Sequence, residues 1–317
     1  MTRPAGARAA ILHGDALRQC GREFDELFAL GRGRYVSRAE WEQLFHESKL
    51  RTRVHAVADR IDTTVGAFGY ACALAMHDIP VLAAGDDRID LILSGRNTRH
   101  SAPDLHRHHC PLPERDVVEL PGGIRVTSLS RTIFDVSRLL TLEGAVVAFD
   151  AALRRIAWSE ADNLYDRDAA AAFRADVASR IAEATGARGI RQARFVAEFA
   201  DGRAQLPGES LLRLRMWQAH LPEPAPQLRV NFAEGDYALL DLALPSQRRW
   251  LEFDGAVKYR DPDMLAGRTA EEVLEAQERR HRRIELATGW RGDRVVWADV
   301  RTVTGFASAQ RRLSLFP

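Results

Sequence analysis

Apolar positions recur along this chain with two different periods, and the change of period marks where one kind of element gives way to another. At the amino end, HGDALRQCGREFDELFALGRGRYV (13–36) spaces Phe24, Leu27 and Phe28 as on a helix. That predicts a short helix from Asp15, a break at Gly21 and a second helix running to the glycines. GRGRYV then sets two glycines beside Arg32 and Arg34 ahead of the β-prone Tyr35 and Val36, the composition of a tight turn entering a wing, or else of a small helical hairpin with solvated arginines. Trp41 to about Arg60 has a helical period, and Gly66 to Met76, rich in Gly, Ala and Cys, predicts a closely packed small-residue helix. Short strands are expected at 89–93, 105–109, 117–120 and 124–126, the last two joined by the turn-forming PGG. Amphipathic helices are expected at 128–140 and 142–155, with further helical stretches at about 169–184 and 190–199.

The segment ADGRAQLPG carries the Gly and Pro of a boundary. Beyond it the pattern predicts a helix at 209–220, strands at 227–232, 237–244 and 248–254 divided by AEGD and PSQ, a long helix at 269–288, a strand at 294–297 and a last helix from 299 toward 313. The expected fold class is α+β and multidomain. It comprises a short winged-helix-like start (1–46), an α/β middle domain with a helical extension (47–205), and a carboxy-terminal αβββαβ domain (206–317).

A chain of 317 residues has material for two or three cores. Its longest apolar stretch, Ile124 to Leu140, is broken by Arg, Asp and Ser well short of a membrane span. MTRPAGARAAILHG lacks the apolar core of a secretory signal, and Cys20, Cys72 and Cys110 are scattered and odd in number. A cytoplasmic address is expected. The formal net charge is +1, so any nucleic-acid surface must come from local arginine patches. Lysine occurs only at Lys49 and Lys258, which draws attention to Lys258 just after the acids of the last domain.

Those acids sit in LLDLALPSQRRWLEFDGAVKY (239–259). A hairpin centred on Ser246-Gln247 sets Asp241 opposite Glu252, with Cβ atoms roughly 4.5 to 5.5 Å apart. The strand period of two puts Asp254 on the same face as Glu252. Like charges so placed call for a cation, and hard oxygen donors suit Mg2+ or Mn2+. The alternative is an ordinary amphipathic hairpin whose acids face solvent and pair with Arg248 or Arg249.

PGES, the strand hairpin carrying an aspartate, LEFDG followed by VKY, and the Arg-rich helix running into TGWR together resemble the PD-(D/E)XK nuclease superfamily, and within it the very-short-patch-repair-like domains. The resemblance covers roughly the last third of the chain. It implies an αβββαβ core, metal binding by Asp241 and Glu252 with help from Glu209, and Mg2+- or Mn2+-dependent cleavage of DNA. Where the family carries a lysine two residues after the glutamate, this chain has Asp254; Lys258 or Gln277 would have to stand in. Such a cation orients the attacking water and stabilises charge on phosphorus. ERRHRR (278–283) offers Arg279, Arg280, Arg282 and Arg283 to phosphates, or else forms a solvated helix face.

Residues 12–36, GYACALAMHDIPV, IDLIL, IRVTSLSRTIFDVSRLL and AVVAFDAALRR resemble the AbiEi-type antitoxin family. The resemblance implies a DNA-binding winged helix joined to an α/β middle domain, and a cognate toxin protein as partner. Arg22 would approach a groove, and Arg32 and Arg34 the backbone. Little chain precedes Asp15 to form a first helix. HRHHC invites a zinc reading, but alternate residues of a strand point to opposite faces, so His106, His108, His109 and Cys110 cannot all reach one ion, and no CxxC or HxxxH lies nearby. Ser128, Ser130 and Asp135 suit a helix start better than a hydrolytic triad. Two functions from different classes follow: a metal-dependent endonuclease targeted by an antitoxin-like front, or a non-catalytic DNA-binding regulator.

Overall fold

The computed structural model describes residues 8–14, 24–61, 64, 66–82, 88–94, 101–255 and 269–315. It mixes helix and strand, and among the described residues there are four sheets. The chain's contacts divide it into two units, each assembled from two stretches: Thr2–Ala152 with Ala171–Phe199, and Leu153–Ala170 with Ala200–Pro317.

The first unit opens with a three-stranded antiparallel sheet of β1 (Leu12–His13), β2 (Leu27–Gly31) and β3 (Arg34–Ser37), with β3 in the middle. A 3-10 turn at Phe24–Glu26 precedes β2, so the helix expected through Phe24, Leu27 and Phe28 is a strand over its second half. The reason is packing. Phe28 stacks on Trp41 with centroids 4.6 Å apart, in a small core built around Ala9, Val36 and Trp41, and a strand pairing delivers it there. The GRGRYV turn forms as expected, because Gly31 pairs with Arg34 and the two residues between, Arg32 and Gly33, both have positive φ. The stretch read as one helix from Trp41 is two, α1 (Arg38–Gln43) and α2 (His46–Ala58).

The larger sheet of this unit comprises β4 (Gly66–Phe68), β5 (Ile89–Leu93), β6 (Leu105–His109), β7 (Val117–Leu120) and β8 (Ile124–Thr127), in the order β6-β5-β4-β8-β7. β5 and β6 run parallel, as do β4 and β8. The helix expected over 66–76 is strand β4 followed by α3 (Tyr70–Met76), because those small residues let the sheet's central strand lie close to Ile92. α4 (Leu129–Leu139) starts at Ser128, whose hydroxyl accepts from the Arg131 N–H at 3.4 Å, so the expected N-cap is present. α5 (Leu142–Ala157), α6 (Arg167–Glu183) and α7 (Ile190–Phe199) follow in the chain, with the short pair β9 (Trp158–Ser159) and β10 (Leu164–Tyr165) between the first two belonging to the second unit.

In the second unit, α8 (Pro207–Gln218) leads into β11 (Ala225–Asn231), β12 (Tyr237–Leu244) and β13 (Arg249–Asp254). α9 (Ala270–Thr288) then crosses to β14 (Arg291–Val296), which pairs parallel to β13, and α10 (Trp297–Val300) and α11 (Val303–Leu313) close the unit. A capping box of Thr269 and Glu272 starts α9, and left-handed Gly289 ends it. Trp250 and Ile284, both fully buried, tie this helix to the sheet.

Candidate functional site

The expected hairpin register is present. Leu242 pairs with Leu251, Ala243 with Trp250 and Leu244 with Arg249, so one step further along the strands Asp241 comes opposite Glu252. The backbone ladder is not the bond that joins this step. Instead the Asp241 side chain accepts the Phe253 N–H at 2.9 Å, a carboxylate doing the work of a strand carbonyl. On the other side of Asp241 the ladder to β11 also skips a pair, at Gln227, whose backbone is left-handed (φ 51°). Asp241 therefore sits in a row where both of its neighbours leave regular pairing.

Glu209 lies in the first turn of α8. Pro207 opens that helix with a preset φ, and Gly208 lies so close to the Phe253 ring that a Cβ there would overlap it. Only 1% of Glu209 is exposed. Its Oε2 accepts from the Gln205 backbone N–H at 2.9 Å and from the Gln227 side-chain amide at 3.3 Å. Burial, with the charge of Asp241 adding to it, pushes the carboxyl well above the usual carboxylate range, against the pull of those donors and of Arg154. The acid expected from sequence to be a metal ligand therefore holds its proton more tightly than an exposed carboxyl does.

Glu252 takes a different neighbour. Trp250 meets His281 of α9, ring to ring at 4.7 Å, and the strand period turns Glu252 to the same side, where it forms an ion pair with Arg280. The Arg280 guanidinium also donates to the Leu239 carbonyl at 2.6 Å. Burial pulls this guanidinium below its ordinary range, while Asp241 pulls it back. Asp241 thus feels both Glu209 and Arg280. The three acids are joined through it, with an arginine already on the third. Asp254, the last residue of β13, falls on the Glu252 side by period and stands in register with Val296. Lys258, expected from sequence to stand in for a lysine absent two residues after Glu252, lies outside the described residues, as does Arg22.

The arginines expected to face phosphates are engaged with acids. Arg279 pairs with Glu275 at 3.1 Å, Arg282 with Glu278 at 3.9 Å, and Arg283 with Asp236 and Glu234 at 2.6 and 2.7 Å. Arg279 and Arg282 keep most of their surface and their pairs are of the weak exposed kind. In the first unit, exposed Arg32 and partly buried Arg34 sit at the tip of the β2–β3 hairpin, where a wing would carry them.

Gln227, Arg154 and the Arg280–Glu252 pair escaped the sequence. Gln227 was legible in principle: counting outward from Glu234 sets it opposite Asp241. For Arg280 the sequence points to a phosphate ligand or a solvated helix face, since a helical period fixes a face and not the strand residue beneath it.

No family model matches this chain. Among curated proteins it is similar to two from Mycobacterium tuberculosis, described as Uncharacterized protein MT2308 (strain CDC 1551 / Oshkosh) and Uncharacterized protein Rv2248 (strain ATCC 25618 / H37Rv). Each is 30% identical over 190 residues, covering 60% of this chain and 61% of the relative. The aligned region is thus under two thirds of either relative's length.

Proposed function

We propose that the second unit is a metal-dependent DNA endonuclease domain of the restriction-endonuclease-like αβββαβ kind, brought to DNA by a winged-helix-like, AbiEi-like front. The observation that carries this reading is the forced neighbourhood of Glu209 and Asp241: a carboxyl 1% exposed, pushed toward protonation by burial and by a second carboxylate in an interrupted strand row. Carboxyls perturbed by burial together with a specific charged neighbour cluster at functional sites, and facing carboxylates are what a cation relieves. In donor chemistry the set Asp241, Glu252 and Glu209 fits Mg2+ or Mn2+, which would supply an activated water and charge neutralisation at phosphorus. Asp241 and Glu252 hold the negative charge of the site, and Glu209 holds or releases a proton beside them. Arg280 offers a guanidinium where the family's lysine is replaced, suited to a phosphate oxygen once it turns from Glu252. DNA as substrate, a cognate toxin as partner and a cytoplasmic setting belong to the same proposal.

The test is nicking of supercoiled plasmid by the full chain with Mg2+, Mn2+ or chelator, beside Asp241→Ala and Glu252→Ala. Cleavage that needs metal and falls by about 100-fold or more in both variants is expected. Undiminished cleavage by both would overturn the assignment.

A second reading has its own observation. Because Arg280 already neutralises Glu252 and Asp254 stands at the lysine position, the unit also suits a non-catalytic DNA-binding regulator that keeps a nuclease scaffold as a platform. Sequence-selective binding by wild type, with no turnover under any metal, would favour it.

A further inference from the structure

The first unit holds a different constellation. β5 reads IDLIL, and Asp90 is its one polar residue; β6 reads LHRHH and lies at one end of the sheet order. Their parallel register sets Asp90 beside His106 and Ile92 beside His108. Because His106 and His108 are two residues apart, their rings share a face, with centroids 4.1 Å apart. Both reach one oxygen of Asp90: His108 Nε2 lies 2.7 Å from Oδ1 and His106 Nδ1 lies 3.6 Å from it. The Tyr70 ring lies against His108 with centroids 4.6 Å apart, and the Asp90 backbone N–H donates to Cys72 Sγ. The strand and the aromatic wall fix the site before any ligand arrives.

We propose that Asp90, His106 and His108 form a binding site for a divalent first-row transition ion, best suited to Zn2+, with the remaining coordination open toward solvent. Among the described residues this is the one group of three or more His, Cys, Asp or Glu residues whose ligand atoms all lie within 4.8 Å of one another. A single Asp–His hydrogen bond would explain His108 alone. It does not explain a second imidazole nitrogen within 3.6 Å of the same carboxylate oxygen, an arrangement in which a divalent ion would satisfy all three groups. Two imidazoles and one carboxylate select zinc and its neighbours over Mg2+ or Ca2+. The His106 side chain is 42% exposed, so an ion has a route in and room for water or an outside ligand. The reading of HRHHC as one zinc-binding run remains rejected: His109 and Cys110 take no part, and the third ligand comes from the neighbouring strand.

The test uses the full chain, stripped with chelator and titrated with Zn2+ by calorimetry and with Co2+ by visible absorption. Wild type, Asp90→Asn, His106→Gln, His108→Gln and, as a control on the same strand, His109→Gln would be compared, each checked for an unchanged circular dichroism spectrum. One ion that depends on these three residues is expected, with its affinity reduced in each of the three ligand variants by more than the roughly 10- to 100-fold that loss of an outer-shell partner brings, and unchanged in His109→Gln. Exposed His106 is the substitution least able to disturb folding, so it keeps the test decisive if His108→Gln fails to fold. Equal affinity in wild type and His106→Gln, or no tetrahedral or five-coordinate Co2+ spectrum in wild type, would overturn the proposal.

Discussion

Glu209 carries its charge at a cost, and the cost has a sign. In the unfolded chain its carboxyl ionises in the ordinary range, whereas in the folded unit burial and Asp241 hold it protonated to higher pH. The folded state therefore binds more protons across that interval. Stability falls as pH rises from the unfolded value toward the raised folded one, by at most about 1.4 kcal/mol per pH unit for this one group. Glu209→Gln removes the titration while keeping an amide that can stay beside Gln227. Thermal melts of the two proteins from pH 5 to 8 should show wild type losing ground to the variant as pH rises; parallel curves would contradict the neutral-acid picture. Much of this residue's setting was legible beforehand, in that PGES marked a helix start and the hairpin count set Asp241 against Glu252. Its burial was not legible. Nothing local in PGES says that Gly208 lets the Phe253 ring close over the helix start, because that contact joins residues 45 positions apart.

At the scale of elements, the second unit follows its sequence closely, and the first departs where short segments are decided by distant partners. Strand 237–244 is found as expected, the other strands and the two longer helices shift by a few residues at their ends, the last helix expected from 299 is split into α10 and α11, and the short β9–β10 pair is unforeseen. Long alternating or helical runs between strong turn signals leave few other ways to bury their apolar faces. Gly66–Phe68 has no such signal: three residues, two of them of low strand preference, pair because β5 and β8 flank them. The glycine there is a requirement of close approach, since a Cβ would overlap the Ile92 carbonyl. Gly66→Ala should accordingly lower stability by about 1 to 3 kcal/mol in urea unfolding. A stability equal to wild type would mean that β4 does not lie so near Ile92. The Phe28 region follows the same rule, with an apparent helical spacing overridden by the stack on Trp41.

For the whole molecule, no described helix is long and apolar enough to cross a membrane. Within the second unit, Leu153–Ala170 is joined to the later stretch by specific bonds: Arg154 donates to the Arg203 carbonyl at 3.2 Å, and the Asn163 amide meets the Tyr237 hydroxyl at 3.0 Å. Gly202 also sits against Leu153 so closely that a Cβ would overlap it. A fragment cut at 206, the boundary that the Gly/Pro segment suggests, discards these supports. It should melt at lower temperature than a fragment beginning at 153, compared by calorimetry; equal midpoints would show that the early stretch adds nothing. The interleaving of the two units also bears on how the chain is made. A ribosome releases residues in order, so the first unit cannot finish until Ala171–Phe199 has emerged. By then Leu153–Ala170 has already been outside for some time, waiting for strands not yet synthesised. That interval, in which an early segment has no partner, is when the nascent protein most needs a chaperone, and slower translation through 171–199 would lengthen it.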